Sequence, residues 1–372
     1  MKSTFNHSSR REFLRRLSLG SAAVATGAGF ANLALGQTAA GGQKKLGVAL
    51  LGLGNYANTQ LAPALAVTKD CRLTGLISGH PEKLTRWAKN FSLSEKNCYT
   101  YENLDRIADN PDIDIVYVVT PNTLHREFVV RAAKAGKHVI CEKPMGGSVA
   151  DCDAMIAACK AAKVKLSVGY RMHFDPYAKE MMRLQREKTF GDFTKLTGNF
   201  SFTFGKRAWR VEKKLSGGGP LMDVGVYIIQ AACMAAGATP VAVTAHEEAK
   251  ERPEFFVDVE EAIRFKLEFP NGATLDALTS YNDNANTFRA EGAQGWIEFV
   301  NNAFGYTVGE VKTSRGPLHF PAPNQQALQM DDFADCIRTG RESEVGGEMG
   351  RRDLKIIEAI YESARTGKRV VI

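Results

Sequence analysis

Short apolar runs alternate with longer amphipathic stretches through the first half of the chain, and the alternation stops near Gly169. Leu46 to Leu51 (LGVALL) is a continuous apolar run bounded at once by Gly52-Leu53-Gly54. That pattern predicts a buried parallel strand that ends in a tight turn and feeds a helix. Runs of the same kind at 72–78 (RLTGLIS), 113–120 (IDIVYVVT), 137–141 and 165–169 predict further strands. Between them 101–109, 124–135 and 145–162 read as helices, the second closed by Gly136. An unbroken βα series predicts an α/β domain over 41–168, built on a doubly wound parallel sheet.

Beyond Gly169 the rhythm changes. A helix over 175–188 precedes β-like runs at 193–204, 241–247, 257–269, 273–281, 286–291 and 295–300, with Pro270-Asn271-Gly272 as a turn signal between two of them. Strands that follow one another without helices predict an open mixed or antiparallel sheet, so 169–372 reads as a separate α+β domain. One helical insertion begins at Gly217-Gly218-Gly219-Pro220. Its proline suits a first helical position, and Asp223 and Tyr227, four residues apart, share a face. Helices at about 325–338 and 347–366 close the chain and are free to pack back on the first domain.

The first turn carries chemistry. Gly52-x-Gly54-x-x-Ala57 has the spacing of a dinucleotide fingerprint. The first glycine makes the turn, the second lets backbone approach a pyrophosphate, and the third small residue lets helix pack on strand, with free N–H groups aimed at the phosphates. A Gly-rich turn between any strand and helix looks similar; its place at the head of a βα series makes this one a Rossmann nucleotide site. The strand ends hold Gly52, Ser78, Pro121-Asn122, Lys143 and Tyr170-Arg171, the edge along which such folds bind ligands. After the second strand, where an acid would grip the ribose 2′-OH of NAD, stands Ser78-Gly79-His80-Pro81-Glu82-Lys83, with Arg86 a turn further on. A hydroxyl with cations accepts a 2′-phosphate that a carboxylate would repel, so the cofactor expected is NADP. Two cations on a solvated helix face would be unremarkable alone; the missing acid carries more weight.

Charge and cysteines narrow the setting. Of the formal +7, residues 1–36 carry +4 through Lys2, Arg10, Arg11, Arg15 and Arg16 against Glu12. The remaining +3 is too scattered to argue for nucleic acid. Ser9-Arg10-Arg11-Glu12-Phe13-Leu14 places a twin arginine before an Ala- and Gly-rich apolar stretch from Leu17 to Leu35, with small-residue cleavage sites near Ala34-Leu35-Gly36 or Thr38-Ala39-Ala40. Residues 1–40 therefore read as a twin-arginine export signal with its linker, and the location expected is the periplasm. A basic amphipathic helix or a membrane anchor would share the arginines, but the stretch is too interrupted for a comfortable span. The cysteines at 71, 98, 141, 152, 159, 233 and 336 form no CxxC pair and no ligand cluster, so neither a structural disulfide nor a metal is expected.

With these residues in view, the chain from about 46 onward resembles the Gfo/Idh/MocA family of glucose-fructose oxidoreductases and inositol dehydrogenases. The resemblance rests on GLGNYA, SGHPEK, TPNTLH, AGKHVICEKPM, GYRMHFDP, AWR at 208–210, GGGPLMDVGVY and EAIYESARTGK, and it takes in the twin-arginine leader. It implies that Lys143 lies beside the nicotinamide and the reacting carbon, that Tyr227 is the general acid/base, and that Asp223 orients substrate or Tyr227. Gly52, Gly54, Asn55, Tyr56, Ser78, Gly79, Lys83, Pro121, Asn122, His125, Glu142, Lys143, Arg171, Trp209 and Arg210 would hold the cofactor. Lys143, Arg171, Asp223 and Tyr227 would meet the substrate. A homodimer or homotetramer formed through the C-terminal sheet is the family's habit. Where many members have His, this chain has Tyr227, the form of the glucose-fructose branch; it departs from that branch at Pro220, in Phe204-Gly205-Lys206-Arg207 and in the short linker 37–45.

A sugar hydroxyl must lose its proton to be oxidised, and a free tyrosine, with a pKa of about 10, is a poor base at neutral pH. An ammonium such as Lys143 beside it stabilises the phenolate. Arg171, His173 and Asp175 are further substrate-contact candidates, each also explicable as structural. An exported protein that needs NADP must fold around it first, because dissolved NADP is not available outside the cytoplasm. The expected function is thus a sugar oxidoreductase with tightly bound NADP, oxidising an aldose at C1 to its lactone and reducing a second sugar to a polyol in ping-pong fashion. A conventional sugar or inositol dehydrogenase with exchangeable NAD(P), or a non-catalytic dinucleotide-binding sensor, are the alternatives.

Overall fold

The structure, a computed structural model, describes residues 44–372, so the twin-arginine leader and its cleavage sites lie outside the described residues. The apolar runs of the first half form six strands: β1 (Leu46–Leu51), β2 (Cys71–Ile77), β3 (Cys98–Tyr99), β4 (Ile115–Val118), β5 (His138–Cys141) and β6 (Leu166–Val168). They line up as β3-β2-β1-β4-β5-β6, every pair parallel. Val48, Leu50, Leu51, Ile115, Val116, Tyr117 and Val118 are all buried, as strands covered by helices on both faces require. Strand order reverses between β1 and β4, so the crevice of this sheet opens beyond Gly52 and Thr120.

The second half forms one nine-stranded sheet from β7 (Phe193–Ser201), β8 (Ala242–Glu247), β9 (Ala262–Glu268), β10 (Thr274–Ser280), β11 (Ala285–Gly292), β12 (Gly295–Phe299), β13 (Val311–Thr313), β14 (Gly316–Leu318) and β15 (Val370–Val371). Its order is β14-β13-β12-β11-β7-β10-β9-β8-β15, antiparallel except where β10 runs parallel to β7. The helix Val226–Ala236 crosses it at Gly198, where a Cβ would stand 2.6 Å from Ile228. Every residue of that helix except Tyr227 is buried. The stretch Lys213–Ala236 is long and apolar enough to span a membrane, yet 89% of its most apolar 18-residue window is inside the protein, which makes it a core element. The helix Gln325–Thr339 packs back on the first sheet: Ala327, Met330, Phe333 and Ala334 join Val48, Leu50, Leu65 and Trp87 in one cluster.

Several expectations need correction. Residues 101–109 form turns and a 3-10 segment, Leu104–Asp109, rather than an α-helix. The helix read from 145 begins at Val149, where Ser148 Oγ caps it by accepting from Asp151 N at 3.2 Å. The strand read over 257–269 begins only at Ala262, because Glu260 and Glu261 both turn buried carboxylates onto backbone N–H groups and leave the pleat. β3 and β13 to β15 are too short to leave a periodic signal. All seven cysteines are free thiols, Cys98 half-buried and the rest buried.

The turn after β1 depends on glycine. Gly52 sits at φ +100°, and a Cβ there would lie 2.7 Å from the carbonyl oxygen of Val119. Gly52→Ala therefore meets both backbone strain and a backbone collision and should destabilise the protein by roughly 2–4 kcal/mol. Thermal unfolding reads this directly; an unchanged Tm would contradict the crowding argument.

Candidate active site

The fingerprint loop is shaped for close approach. Around Gly52 the backbone is packed solid, whereas a Cβ on Gly54 would meet nothing within 4 Å. Beside this turn Thr120 Oγ1 is buried with no hydrogen-bond partner. An open cradle at Gly54 and an orphaned hydroxyl at the crevice fit a dinucleotide phosphate lying across the strand ends. Asn55 is exposed and Tyr56 half-buried at the start of a wide π-type turn, Ala57–Leu61. Ser78 is buried at the end of β2, its Oγ accepting from His80 N at 3.1 Å, which leaves its own proton free to donate. The Tyr101 ring packs against Gly79, where a Cβ would be 2.8 Å from it. Lys83 is half-buried and Arg86 exposed on the helix Pro81–Phe91, and neither is in an ion pair among the described residues.

Lys143 reaches across to the second domain. Its Nζ donates to the carbonyl oxygen of Asp223 at 2.7 Å, stands 3.6 Å from Asp223 Oδ1, and sits 4.8 Å from the centre of the Tyr227 ring. The peptide bond to Pro144 is cis. Behind it, Glu142 is buried and accepts from Tyr117 Oη at 2.8 Å and from Lys143 N at 3.2 Å; burial holds its carboxyl above the usual range. His125 is completely buried, with ring nitrogens 3.1 Å from Pro144 O and 3.0 Å from Thr120 O, and burial pushes its pKa down to about 4. Both side chains thus brace the turn that carries Lys143. Asn122 likewise gives its amide to Ser216 O at 2.8 Å, tying the loop after β4, with Pro121 at its head, to the second domain.

Asp223 is the hub. Its Oδ2 accepts from Arg210 Nε at 3.0 Å and from Tyr281 Oη at 2.9 Å. Burial opposes its ionisation, but the charges of Arg210 and Lys143 and the bonds from Tyr281 and Arg210 outweigh that and hold the carboxyl below the usual range. Asp223 lies in a second π-type turn, Leu221–Gly225, leading into Val226–Ala236. Buried Glu260 fixes the entry by accepting from Gly219 N at 2.9 Å, Leu221 N at 3.0 Å and Tyr361 Oη at 2.9 Å. The run of glycines has a steric cause: Cβ atoms on Gly218 and Gly219 would stand 2.0 Å from Tyr361 Oη and 2.2 Å from Glu260 O.

Tyr227 is walled by Phe200 and Phe304, with ring centres 5.7 and 6.1 Å away. The guanidinium of Arg171 lies 5.0 Å from the Tyr227 ring and 4.7 Å from that of Tyr306. Arg171 is itself buried, donating to Gly305 O at 2.8 Å, Phe304 O at 2.6 Å and the side chain of Gln325. His173 pairs with Gln230 at 2.7 Å, and Asp175 caps the helix Pro176–Arg186 and accepts at 2.7 Å from Gln325, which in turn takes a bond from Arg171. Trp209 is covered by its neighbour's guanidinium, Arg210 Cζ being 4.6 Å from its ring.

The structure thus brings together Lys143, Asp223, Tyr227, Arg171 and Arg210, and adds Tyr281, Glu260 and Tyr306, which no sequence motif singled out. Among the described residues no group of three His, Cys, Asp or Glu side chains could hold a metal. Two cavities, about 600 Å³ behind the glycine loop and about 270 Å³ beside His173 and Gln230, are lined by neither Lys143 nor Tyr227, so the chemistry lies outside both.

Asp223→Asn would leave Arg210 and Lys143 without their counter-charge and should cost about 3 kcal/mol of stability at pH 7. Because the folded carboxyl titrates below its unfolded value, its contribution is present above about pH 4 and is lost as pH falls through the lower folded value. Denaturant unfolding of both proteins should show a gap that narrows below pH 4; a gap constant with pH would mean that charge is not its source.

Two family descriptions match the chain, an oxidoreductase family NAD-binding Rossmann fold over residues 46–170 and a GFO/IDH/MocA C-terminal domain over 178–298. Among solved structures, aldose-aldose oxidoreductase from Caulobacter crescentus, complexed with glycerol, is 46% identical, with a TM-score of 0.86 over 88% of this chain and 100% of that one. A trans-1,2-dihydrobenzene-1,2-diol dehydrogenase of Xenopus laevis is 33% identical over 290 residues, 74% of this chain and 85% of the relative. The D-xylose 1-dehydrogenase [NADP(+)] of Haloarcula marismortui is 28% identical over 333 residues, 87% of this chain and 92% of the relative. A parallel nucleotide-binding sheet, a lysine at the end of its fifth strand and an open mixed sheet carrying the facing tyrosine agree with these matches, and the chain belongs to the Gfo/Idh/MocA oxidoreductase family.

Proposed function

We propose that the protein oxidises an aldose at C1 to the aldonolactone and reduces a second sugar to a polyol, keeping NADP(H) bound between the two half-reactions. The observation that carries this reading is the Lys143 ammonium, fixed by Asp223 and lying 4.8 Å from the ring of Tyr227. When bound, the nicotinamide supplies the acceptor and then the donor of the electron pair. The residues of the chain do the rest. Tyr227 takes the hydroxyl proton of the first sugar and returns one to the carbonyl oxygen of the second. Lys143 places positive charge and an N–H at that same oxygen, and Asp223 holds Lys143 there. Ser78 with Lys83 and Arg86, in place of an acid after β2, supports the phosphorylated dinucleotide. Likeness to an aldose-aldose oxidoreductase at 46% identity supports a second sugar as the electron acceptor.

We further propose that the twin-arginine leader exports the protein folded, with cofactor in place, to the periplasm, and that the chain associates with itself through its second sheet. A second reading is a conventional dehydrogenase with exchangeable cofactor, favoured by relatives such as the Haloarcula D-xylose 1-dehydrogenase. Purified protein with no added nucleotide separates the two. Under the retained-cofactor reading, aldose should raise the reduced-nicotinamide absorbance to about one equivalent per active site, and a second sugar should abolish it. Loss of all nucleotide on dialysis, with activity restored only by added NADP, would establish the conventional enzyme instead.

Tyr227→Phe should lower kcat by about 10²- to 10⁴-fold, the usual contribution of a positioned acid/base, with Tm and nucleotide content little changed. Steady-state kinetics beside a thermal melt measure both. A variant that keeps its turnover would remove Tyr227 from the chemistry and favour a binding protein that senses rather than transforms sugar.

A further inference from the structure

Tyr306 is half-exposed, being 46% accessible, on the loop between β12 and β13. One side of its ring faces the Arg171 guanidinium at 4.7 Å, and the Tyr56 ring lies 5.8 Å away at 30°. The loop beneath it is held from several directions. Arg171 takes the carbonyls of Phe304 and Gly305, Asn286 accepts from Phe304 N at 2.8 Å, and Asn302 donates to Thr307 O at 2.6 Å. A half-exposed aromatic ring on a tied loop, set against the cation that also touches Tyr227, is not explained by packing.

Its surroundings place it at the catalytic cluster. Burial, and then the neighbouring Tyr227 and Glu142, push its phenol up to about 12, with Arg171 opposing, so the hydroxyl stays a neutral donor. The reaction proposed above yields a lactone, and a lactone forms directly only from the closed ring of the sugar. A closed pyranose has a flat patch of C–H groups, and such a patch seats on an aromatic face, whereas an open short chain offers none.

We propose that Tyr306 is the recognition platform for the donor sugar: its solvent-exposed side receives the C–H face of a pyranose, with Arg171 against the ring, and so favours closed-ring over open-chain donors in the oxidising half-reaction, while the acceptor enters the reducing half-reaction as an open-chain carbonyl. This rests on the sugar oxidoreductase reading. It assigns to the chain a specificity-determining residue rather than a catalytic one, because Tyr306 acts on how the ring is seated and not on the proton or the electron pair.

The test compares two donors with the full-length protein, added NADP and a fixed, saturating second sugar as acceptor: glucose, which closes to a pyranose, and glyceraldehyde, which cannot. Tyr306→Ala should raise KM for glucose about tenfold, the effect of losing one stacking contact, with kcat within about twofold. It should leave KM and kcat for glyceraldehyde unchanged. Tyr306→Phe should keep the glucose KM, since it keeps the face; Tyr306→Leu, which keeps bulk without the face, should behave as Ala does and stands in for it if the Ala protein does not fold. Equal effects on both donors, or no effect on either, would overturn the proposal while leaving the sugar reading intact. Wild-type protein that turns over no aldose would instead remove that reading, and this proposal with it.

Discussion

The contact on which the rest of the structure depends is the one between the Lys143 ammonium and Asp223, because it fixes the two sheets relative to each other at the point where chemistry occurs. Lys143 belongs to the half built on the parallel sheet and Asp223 to the half built on the mixed sheet. A half-buried ammonium beside a carboxylate is stable only if further partners satisfy both groups, and here they do. The carbonyl oxygen of Asp223 takes the lysine, while its Oδ2 is left for Arg210 and Tyr281. Removing Asp223 leaves two cations without their counter-charge, and with it in place the lysine has little freedom to move.

Backbone irregularity serves the same end. Both segments that carry the machinery, Ala57–Leu61 after the fingerprint and Leu221–Gly225 at the hub, are wide π-type turns rather than regular helix. A π turn widens the helix by one residue and re-aims the side chains that follow. At the hub it lets Asp223 point back to Lys143 and Arg210 while Tyr227, one turn on, faces Arg171. Glu260 holds the turn from beneath through two backbone N–H groups, and the close approach of Glu260 and Tyr361 is why glycines precede it.

The first domain was legible in the sequence because its signals are local. A buried strand, a glycine at φ +100° and a helix start follow one another within a dozen residues, and each leaves its own trace in residue type. Lys143, Asp223 and Tyr227 were legible for a related reason, lying in motifs whose spacing can be read directly. What was not legible shares a cause too. The partners of His125 and Glu142, carbonyls and a tyrosine reached through the fold, are revealed by no spacing. Tyr281, Glu260 and Tyr306 reach the site through strand pairing and loop closure, long-range events with no signature in their neighbourhoods. The helix read at 101–109 failed because its residues are instead bent around Tyr101 and Asn103 to cover Gly79 and cap a turn.

Whether a cofactor exchanges or stays is a question of how easily the two halves part. Several bonds cross between them along the nucleotide edge: Asn122 to Ser216, Thr123 to Lys214, Lys143 to Asp223, and Arg171, which leaves β6, to Phe304 and Gly305. Each is worth about 1 kcal/mol net, and more where a charge is involved, so opening the crevice breaks several kcal/mol of interaction at once. Tyr56, on the fingerprint loop, is in turn tied to Gln326 and lies against Tyr306. These contacts join the two halves along the strand ends, and parting the halves there means breaking them together.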